Sequence, residues 1–161
     1  MEDTAIVYYS LDGNTDHIAR RIAEKAGAKL IRLETKRAYP RKGFKKFFIG
    51  GRDALFGAQP ELKSPLPDLA PFGNIVIGTP VWASRPAPAI NTFLRRAKLD
   101  GKRIALFACS GGGQAETCLD KMQALLAGNE ILCRVSFISS VFKRGKTVDD
   151  AIDEIVSALS E

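Results

Sequence analysis

The sequence predicts an α/β fold in which a parallel sheet is covered by helices on both faces. Short apolar runs rich in β-branched and aromatic residues alternate along the chain with segments whose apolar residues recur at helical spacing. All but one of the connections are short, as expected for strand–helix–strand units. At 161 residues the chain can bury a sizeable core, and we expect a single domain over residues 1–161.

Five strands are predicted. The first, residues 4–10, is a continuous apolar run, which is typical of a strand that is buried on both faces. Four later runs have the same character, and a helical segment precedes most of them, as a parallel crossover requires. These four runs are residues 29–35, 74–79, 103–108 and 130–139.

Four amphipathic helices fit between and after these strands. The first, residues 15–27, places Ile18 and Ile22 on one face and ends at Gly27, a residue type that commonly terminates helices. The other three are predicted at residues 86–97, 114–127 and 147–160. The sequence Gly-Lys-Thr at 145–147 lacks the upstream glycine of a nucleotide-binding P-loop, so we expect a turn there.

The exceptional connection, residues 39–73, is longer than a crossover requires. Residues 41–57 fit a helix that is broken or kinked at Gly50-Gly51, and a proline-containing loop returns to the third strand. Packing against the sheet explains some of the apolar residues, but the segment is unusually rich in phenylalanine. The alternatives are that part of it lines a ligand, forms a dimer contact or meets a partner. The phenylalanines are Phe44, Phe47, Phe48 and Phe56.

The net charge of +6 is concentrated in one part of the chain, because residues 36–52 contain seven basic residues and no acidic ones. Such a segment attracts anionic partners at long range. The alternative is a solvated helix face. The basic residues are Lys36, Arg37, Arg41, Lys42, Lys45, Lys46 and Arg52.

Composition argues against several other classes of protein. The three cysteines show no CxxC spacing, which argues against a disulfide framework or a zinc ribbon, and His17 is the only histidine. No run of eighteen apolar residues occurs, so we expect no membrane span. The first residues are acidic rather than basic and lead into a strand, so we expect a cytoplasmic protein. We predict no metal site and no nucleic-acid partner.

Ligands of open parallel sheets bind beyond the carboxyl ends of the strands, so the loops after strands one, three and four are the candidate site. The first loop, residues 10–15, offers the hydroxyls of Ser10 and Thr15 and a flexible Gly13 at a helix start, as a phosphate site requires. Asp12 would repel a phosphate, so we expect its side chain to point outward. Alternatively, Asn14 is simply the N-cap of the helix.

The other two loops have features suited to a flat ligand. Trp82 follows the third strand and could stack on an aromatic ring, although a lone tryptophan more often packs within the protein. After the fourth strand, glycines 111–113 would permit close approach of a ligand to the backbone. Cys109 lies beside them, and its alternative role is that of a small buried apolar residue.

Taken together, the segments YYSLDGNT, GTPVWASRP and ACSGGG resemble the three cofactor loops of the flavodoxin family, in the same chain order. The resemblance implies a three-layer sandwich with strand order 2-1-3-4-5 and non-covalently bound FMN. It implies that the phosphate is held by Ser10, Leu11, Asp12, Gly13, Asn14 and Thr15. One side of the flavin ring would lie against Thr79, Pro80, Val81, Trp82 and Ala83, and its other edge against Cys109, Ser110, Gly111, Gly112 and Gly113.

Two features depart from the family pattern. Asp12 stands where threonine is commonest, and the net charge is positive, whereas electron-carrying flavodoxins are typically acidic. We therefore expect a flavodoxin-type electron carrier whose basic segment 36–52 docks an acidic redox partner. An FMN-dependent NAD(P)H or quinone reductase is the alternative, although no G-x-G-x-x-G fingerprint occurs because Glu116 takes the last position. The third hypothesis is a scaffold protein that has kept the fold but lost its flavin. None of these requires a catalytic side chain.

Overall fold

The computed structural model of the chain describes residues 3–138 and 147–161. Residue 139 of the predicted fifth strand and residues 145–146 of the predicted turn lie outside the described residues. The strands are β1 (Thr4–Tyr8), β2 (Lys29–Arg32), β3 (Asn74–Trp82), β4 (Arg85–Pro86), β5 (Arg103–Ser110) and β6 (Glu130–Ile138). The helices are α1 (Asn14–Ala26), α2 (Phe44–Leu55), α3 (Pro88–Arg96), α4 (Ala115–Ala124) and α5 (Val148–Ser160).

Five strands form a parallel sheet in the order β2-β1-β3-β5-β6. This confirms the predicted order, since β5 and β6 are the fourth and fifth of the predicted strands. The short β4 was not predicted. It pairs antiparallel with the end of β3, which continues to Trp82 instead of ending at Thr79.

Helices cover both faces of the sheet, as predicted. Successive side chains of a strand point to opposite faces, so Val7 packs into one apolar layer and Ile6 into the other. The layer that contains Val7 is closed by α3 and α4, and the layer that contains Ile6 is closed by α1 and α5. Among the described residues, no helix has the length and apolar character needed to cross a bilayer.

The long connection contains a single continuous helix, α2, and the expected break at Gly50-Gly51 is wrong. The glycines are accommodated because Gly50 lies beneath the indole of Trp82, where a Cβ would come within 3.1 Å of the ring. The return loop is held by α3, whose Asn91 and Thr92 side chains donate to the carbonyls of Gly57, Ala58 and Pro60 at 2.9–3.0 Å.

The phenylalanines of this segment do not pack against the sheet. The small residues Gly50 and Ala54 form the buried side of α2 instead. The large apolar side chains on and after the helix are between 52% and 81% exposed, and they are Phe44, Phe47, Phe48, Leu55 and Phe56. The expectation that helix packing explains some of the phenylalanines is therefore wrong.

Candidate functional site

The carboxyl ends of β1, β3 and β5 meet at one edge of the sheet because these strands are parallel neighbours. A cleft of about 460 Å³ opens at this edge, within the size range of small-molecule sites. The predicted residues that line it are Ser10, Leu11, Asp12, Asn14, Thr15, Pro80, Val81, Trp82, Cys109, Ser110 and Gly111. Gly13, Thr79, Ala83, Gly112 and Gly113 do not line its walls.

The first loop leads into a helix whose N-terminus lacks a side-chain cap. Gly13, with φ of 99°, occupies the N-cap position, so the alternative that Asn14 caps the helix is wrong. The Gly13 N–H donates to Ser10 Oγ at 3.1 Å, which closes the loop. Since the first N–H groups of a helix have no partner within it, the start of α1 offers backbone donors to an anion.

Asp12 forms an ion pair with Lys46, which α2 brings to the cleft. The Asp12 side chain is 43% exposed, but it lines the cleft instead of pointing away from it, and its cationic partner was not predicted. The ammonium group also lies 5.5 Å from the centroid of the Phe47 ring. Lys46 therefore compensates the one negative charge that makes this loop unfavourable for a phosphate.

Thr79 stabilises the second loop through the hydrogen bonds of its buried hydroxyl. It is fully buried, and its hydroxyl accepts a hydrogen bond from the Ala87 N–H at 2.9 Å, while donating to the Pro80 carbonyl at 2.9 Å. The turn that follows β3 is formed by Ala83 and Ser84, whose φ angles of 48° and 61° are both left-handed. Two such residues between paired strands are typical of a type I′ hairpin turn, which here ends β3 beside the cleft.

Trp82 packs within the protein and also lines the cleft, and its stacking on a flat ligand ring stays a prediction. Its ring makes edge contacts with Tyr9 and Tyr39, at centroid distances of 5.8 and 5.3 Å. Gly50 in α2 lies against the same ring. Because several groups fix its orientation, the indole forms a rigid part of the cleft wall beside α2.

The third loop is organised by Ser110, whose hydroxyl accepts from the Gly112 N–H at 3.2 Å and donates to the Gly113 carbonyl at 3.1 Å. None of glycines 111–113 has a positive φ, and a Cβ on any of them would meet no atom of residues 3–138 or 147–161 within 4 Å. Within these ranges, neither the backbone nor a neighbouring residue therefore requires glycine. The space beside them is open, as a ligand that approaches the backbone requires.

A hydrogen bond joins the third loop to the hairpin. The Ser84 hydroxyl donates to Gln114 Oε1 at 2.6 Å, and Gln114 itself has a left-handed φ of 74° at the N-cap of α4. Three non-glycine residues with positive φ thus lie beside one cleft, which is where backbone strain tends to concentrate in proteins.

Cys109 contributes a neutral thiol. Burial raises its pKa to about 12, although a side-chain hydrogen bond with Thr15 acts in the opposite direction. The thiol therefore stays protonated at neutral pH and is a poor nucleophile. The bond to Thr15 also joins the first and third loops, which only the fold brings together.

Phe47 lines the cleft, which agrees with the predicted alternative that part of the phenylalanine-rich segment lines a ligand site. Several other residues of the cleft were not predicted. They are His17, Ile18, Lys46, Phe137 and Val148. Spacing along α1 could have indicated His17 and Ile18, since both lie within one turn of Asn14. The placement of Lys46 and Phe47 depends on how α2 packs beside β3, which no local pattern specifies.

Comparison with known proteins identifies relatives of this chain. A family model described as Flavodoxin matches residues 3–154. A crystal structure of a flavoprotein in complex with FMN from Lactobacillus acidophilus has 25% sequence identity, covers 91% of this chain and 100% of that chain, and gives a TM-score of 0.73. The NMR structure of the apo-form of the flavoprotein from the same organism has 26% identity, with coverages of 91% and 99% and a TM-score of 0.63.

A flavodoxin from Streptococcus pneumoniae has the same fold with 16% identity, coverages of 98% of this chain and 97% of that chain, and a TM-score of 0.60. A search of curated protein sequences gave no significant match.

Proposed function

Because this chain belongs to the flavodoxin family, FMN is its cofactor, and we propose that it carries electrons between redox partners through a flavin in the cleft. The observation that supports this most is the run of three glycines in the third loop, of which Gly111 lines the cleft, since no contact among the described residues requires glycine there. The uncapped start of α1 and the wall formed by Trp82 fit the phosphate and the flat ring of FMN, respectively.

We assign the phosphate to the first loop, residues 10–15. The ring would lie between the second loop, residues 79–83, and the third, residues 109–113. Within these segments Thr79 is a positioning residue, since its buried hydroxyl fixes the turn into α3 and does not face the cleft. Gly13 likewise acts through the backbone conformation that presents the helix N-terminus.

Electron transfer requires little from the protein's own side chains, because FMN supplies the one- and two-electron chemistry. The side chains at the cleft agree with this. The Cys109 thiol stays protonated, and Asp12 is paired with Lys46, so neither is poised as a nucleophile or a free base. The loops are left to bind the cofactor, orient it and limit the access of water to it.

An FMN-dependent NAD(P)H or quinone reductase is the second candidate. It is favoured by the position of Lys46 and Phe47, which add a cation and an aromatic ring to the cleft wall. A second groove of about 510 Å³ lies on the other side of α2 and includes Arg37 and Arg52, which could meet the phosphates of a dinucleotide.

Stopped-flow reduction of the anaerobic FMN-loaded protein distinguishes the two candidates. A carrier should be bleached rapidly by dithionite but slowly by NADH and NADPH. Rapid bleaching by either nucleotide alone would establish the reductase instead. If the purified protein is colourless and added FMN neither binds nor restores the flavin spectrum, both candidates fail and the chain is a scaffold.

The basic segment 36–52 is proposed to dock an acidic redox partner. Arg37, Arg41, Lys42 and Lys45 form no ion pair with any residue in the described ranges 3–138 and 147–161. Their charges are therefore available to steer an anionic protein at low salt. Changing Lys42 and Lys45 to Glu, while keeping Lys46 beside Asp12, should slow reduction by an acidic ferredoxin-type donor at low ionic strength. An unchanged rate would eliminate this docking surface.

We place the protein in the cytoplasm. All three cysteines, Cys109, Cys118 and Cys133, are free, which fits a reducing compartment.

A further inference from the structure

The outer face of α2 is an apolar surface that no residue in the ranges 3–138 and 147–161 covers. Phe44, Phe48 and Leu55 lie along one side of the helix, because Phe48 follows Phe44 by about one helical turn and Leu55 follows it by about three. The rings of Phe44 and Phe48 stack at a centroid distance of 6.1 Å. With Phe47 and Phe56 they form what we call the aromatic face, and every member is more than half exposed.

Among the residues that the structure describes, three cations that form no ion pair border the aromatic face. Arg41 and Lys42 directly precede α2, and Lys45 lies on the helix beside Phe44. All three are exposed.

The carboxylates near this surface are already paired. Asp53, the only acidic residue of the helix, is partly buried, accepts from the Tyr39 hydroxyl at 2.9 Å and pairs with Arg52. Asp12 is paired with Lys46. The surface thus combines large apolar side chains with an excess of positive charge.

The combination of apolar side chains and cations indicates which kind of surface covers the aromatic face. A second copy of the chain, docked through the same face, would bring Arg41, Lys42 and Lys45 against themselves, and like charges oppose such contact. An acidic protein, such as the redox partner proposed above, would satisfy the cations in a transient contact, but lysine is depleted in the buried interfaces that would cover the apolar side chains. Phenylalanine and leucine flanked by lysine and arginine are typical of helices that lie in the interface of an anionic bilayer.

We propose that the aromatic face and its bordering cations dock the protein on the surface of an anionic lipid bilayer. The phenylalanines would enter the boundary between headgroups and acyl chains, while the cations contact lipid phosphates. Because Phe47 also lines the cleft, docking would hold the mouth of the cleft beside the membrane. The proposal does not depend on the cofactor, since every residue that carries it belongs to α2 or its immediate flanks.

Cosedimentation of the FMN-loaded protein with vesicles tests the proposal. The protein should bind vesicles made of equal parts phosphatidylcholine and phosphatidylglycerol, and only weakly those made of phosphatidylcholine alone. Phe44→Ser with Phe48→Ser should reduce the partition coefficient on the order of tenfold or more, because both rings leave water on binding. Lys42→Glu with Lys45→Glu should reduce it on the order of 30-fold, from the loss of two lipid-facing cations.

A matched variant controls for net charge. Arg96→Glu with Lys98→Glu makes the same change in net charge at two exposed positions at the end of α3, outside α2 and its flanks. This variant should bind anionic vesicles nearly as well as the wild type. Unchanged flavin absorption and thermal midpoint would show that each variant is folded; the substituted phenylalanines are exposed, so little loss is expected.

Three results would overturn the proposal. The first is wild-type protein that stays in the supernatant with anionic vesicles. The second is binding that falls with charge reversal but not with the serine variant, which would indicate a purely electrostatic site such as an acidic protein uses. The third is a wild-type dimer in analytical ultracentrifugation that the serine variant converts to monomer without vesicle binding, which would show that a second copy covers the face.

Discussion

Gly78 is a position in the sheet where the neighbouring core leaves no room for a side chain larger than hydrogen. This residue lies in β3 beneath the fully buried ring of Phe107, and a Cβ added to it would overlap that ring. We expect Gly78→Ala to lower the free energy of unfolding by about 1–3 kcal/mol, because a rigid aromatic ring in a filled core has nowhere to move. Urea unfolding measures the loss.

Gly73→Ala is the control for that substitution. The nearest atom to its added Cβ is Asp3 Oδ2 at 3.5 Å, an ordinary contact, and its φ is not positive. The stability of this variant should stay near that of the wild type. Equal losses at positions 73 and 78 would contradict the steric argument.

The ion pair between Asp12 and Lys46 makes a second prediction at the scale of single residues. Without the ammonium group, the Asp12 carboxylate would stand uncompensated beside the proposed phosphate position. Lys46→Met should therefore weaken FMN binding by roughly three- to tenfold at low salt, as expected for a partly exposed charge. Fluorescence titration of the apoprotein with FMN measures this affinity.

The double variant Asp12→Asn with Lys46→Met tests whether Lys46 acts through Asp12, as in a double-mutant cycle. Removing the carboxylate as well should restore most of the lost affinity, since the repulsive charge is gone. If the double variant binds FMN as weakly as Lys46→Met, Lys46 contacts the phosphate directly instead of acting through Asp12.

At the scale of elements, α2 forms one wall of the cleft, and it can approach Trp82 because its contacting residue is glycine. Gly50→Leu should push the indole away, changing tryptophan fluorescence and weakening FMN binding. Gly51→Leu is the matched control, since no atom of the described part of the chain lies within 4 Å of its added Cβ. It should instead stabilise the helix by about 0.8 kcal/mol, through helix propensity alone.

Circular dichroism and tryptophan fluorescence of both leucine variants separate the two effects. If Gly50→Leu leaves the tryptophan spectrum and FMN affinity unchanged, the contact between α2 and Trp82 does not shape the cleft. The measurement therefore tests how two elements pack, not only one side chain.

At the scale of the whole molecule, stability should fall at alkaline pH. Burial raises the pKa of Cys118 from 9.0 to about 12, and the pKa values of Tyr8 and Tyr9 from 10.0 to about 12. Above about pH 9 the unfolded chain loses protons that the folded chain retains, so the free energy of unfolding decreases as pH rises towards 12. Each such group adds about 1.4 kcal/mol per pH unit to the slope.

Urea unfolding from about pH 8 to about pH 11 measures this slope. Cys118→Ala removes one titrating group, so its stability should decline less steeply, whatever constant offset the smaller side chain introduces. Parallel pH profiles for the variant and the wild type would exclude a contribution from this thiol.

The strands, most of the helices and the three candidate loops could be predicted because each depends on a local pattern, whereas the strand order was implied by the resemblance of these loops to the flavodoxin family. Apolar runs such as residues 74–79 and helical spacing such as that of Ile18 and Ile22 specify elements, and alternation of the two types leaves few parallel topologies. The end of β3 could not be predicted, because its last residues are held by pairing with β4. That pairing depends on a left-handed turn at Ala83 and Ser84, and neither residue is the glycine that such a turn usually contains.

By itself, the sequence determined the fold class, the edge of the sheet where the candidate site lies and the family to which the chain belongs. Only the tertiary structure decided that Asp12 is paired with Lys46 and that the phenylalanines of α2 face outward. The physical reason is the same in both cases. A helical pattern states which residues share a face, but which face meets the sheet depends on the fit of Gly50 and Ala54 against distant side chains such as Trp82.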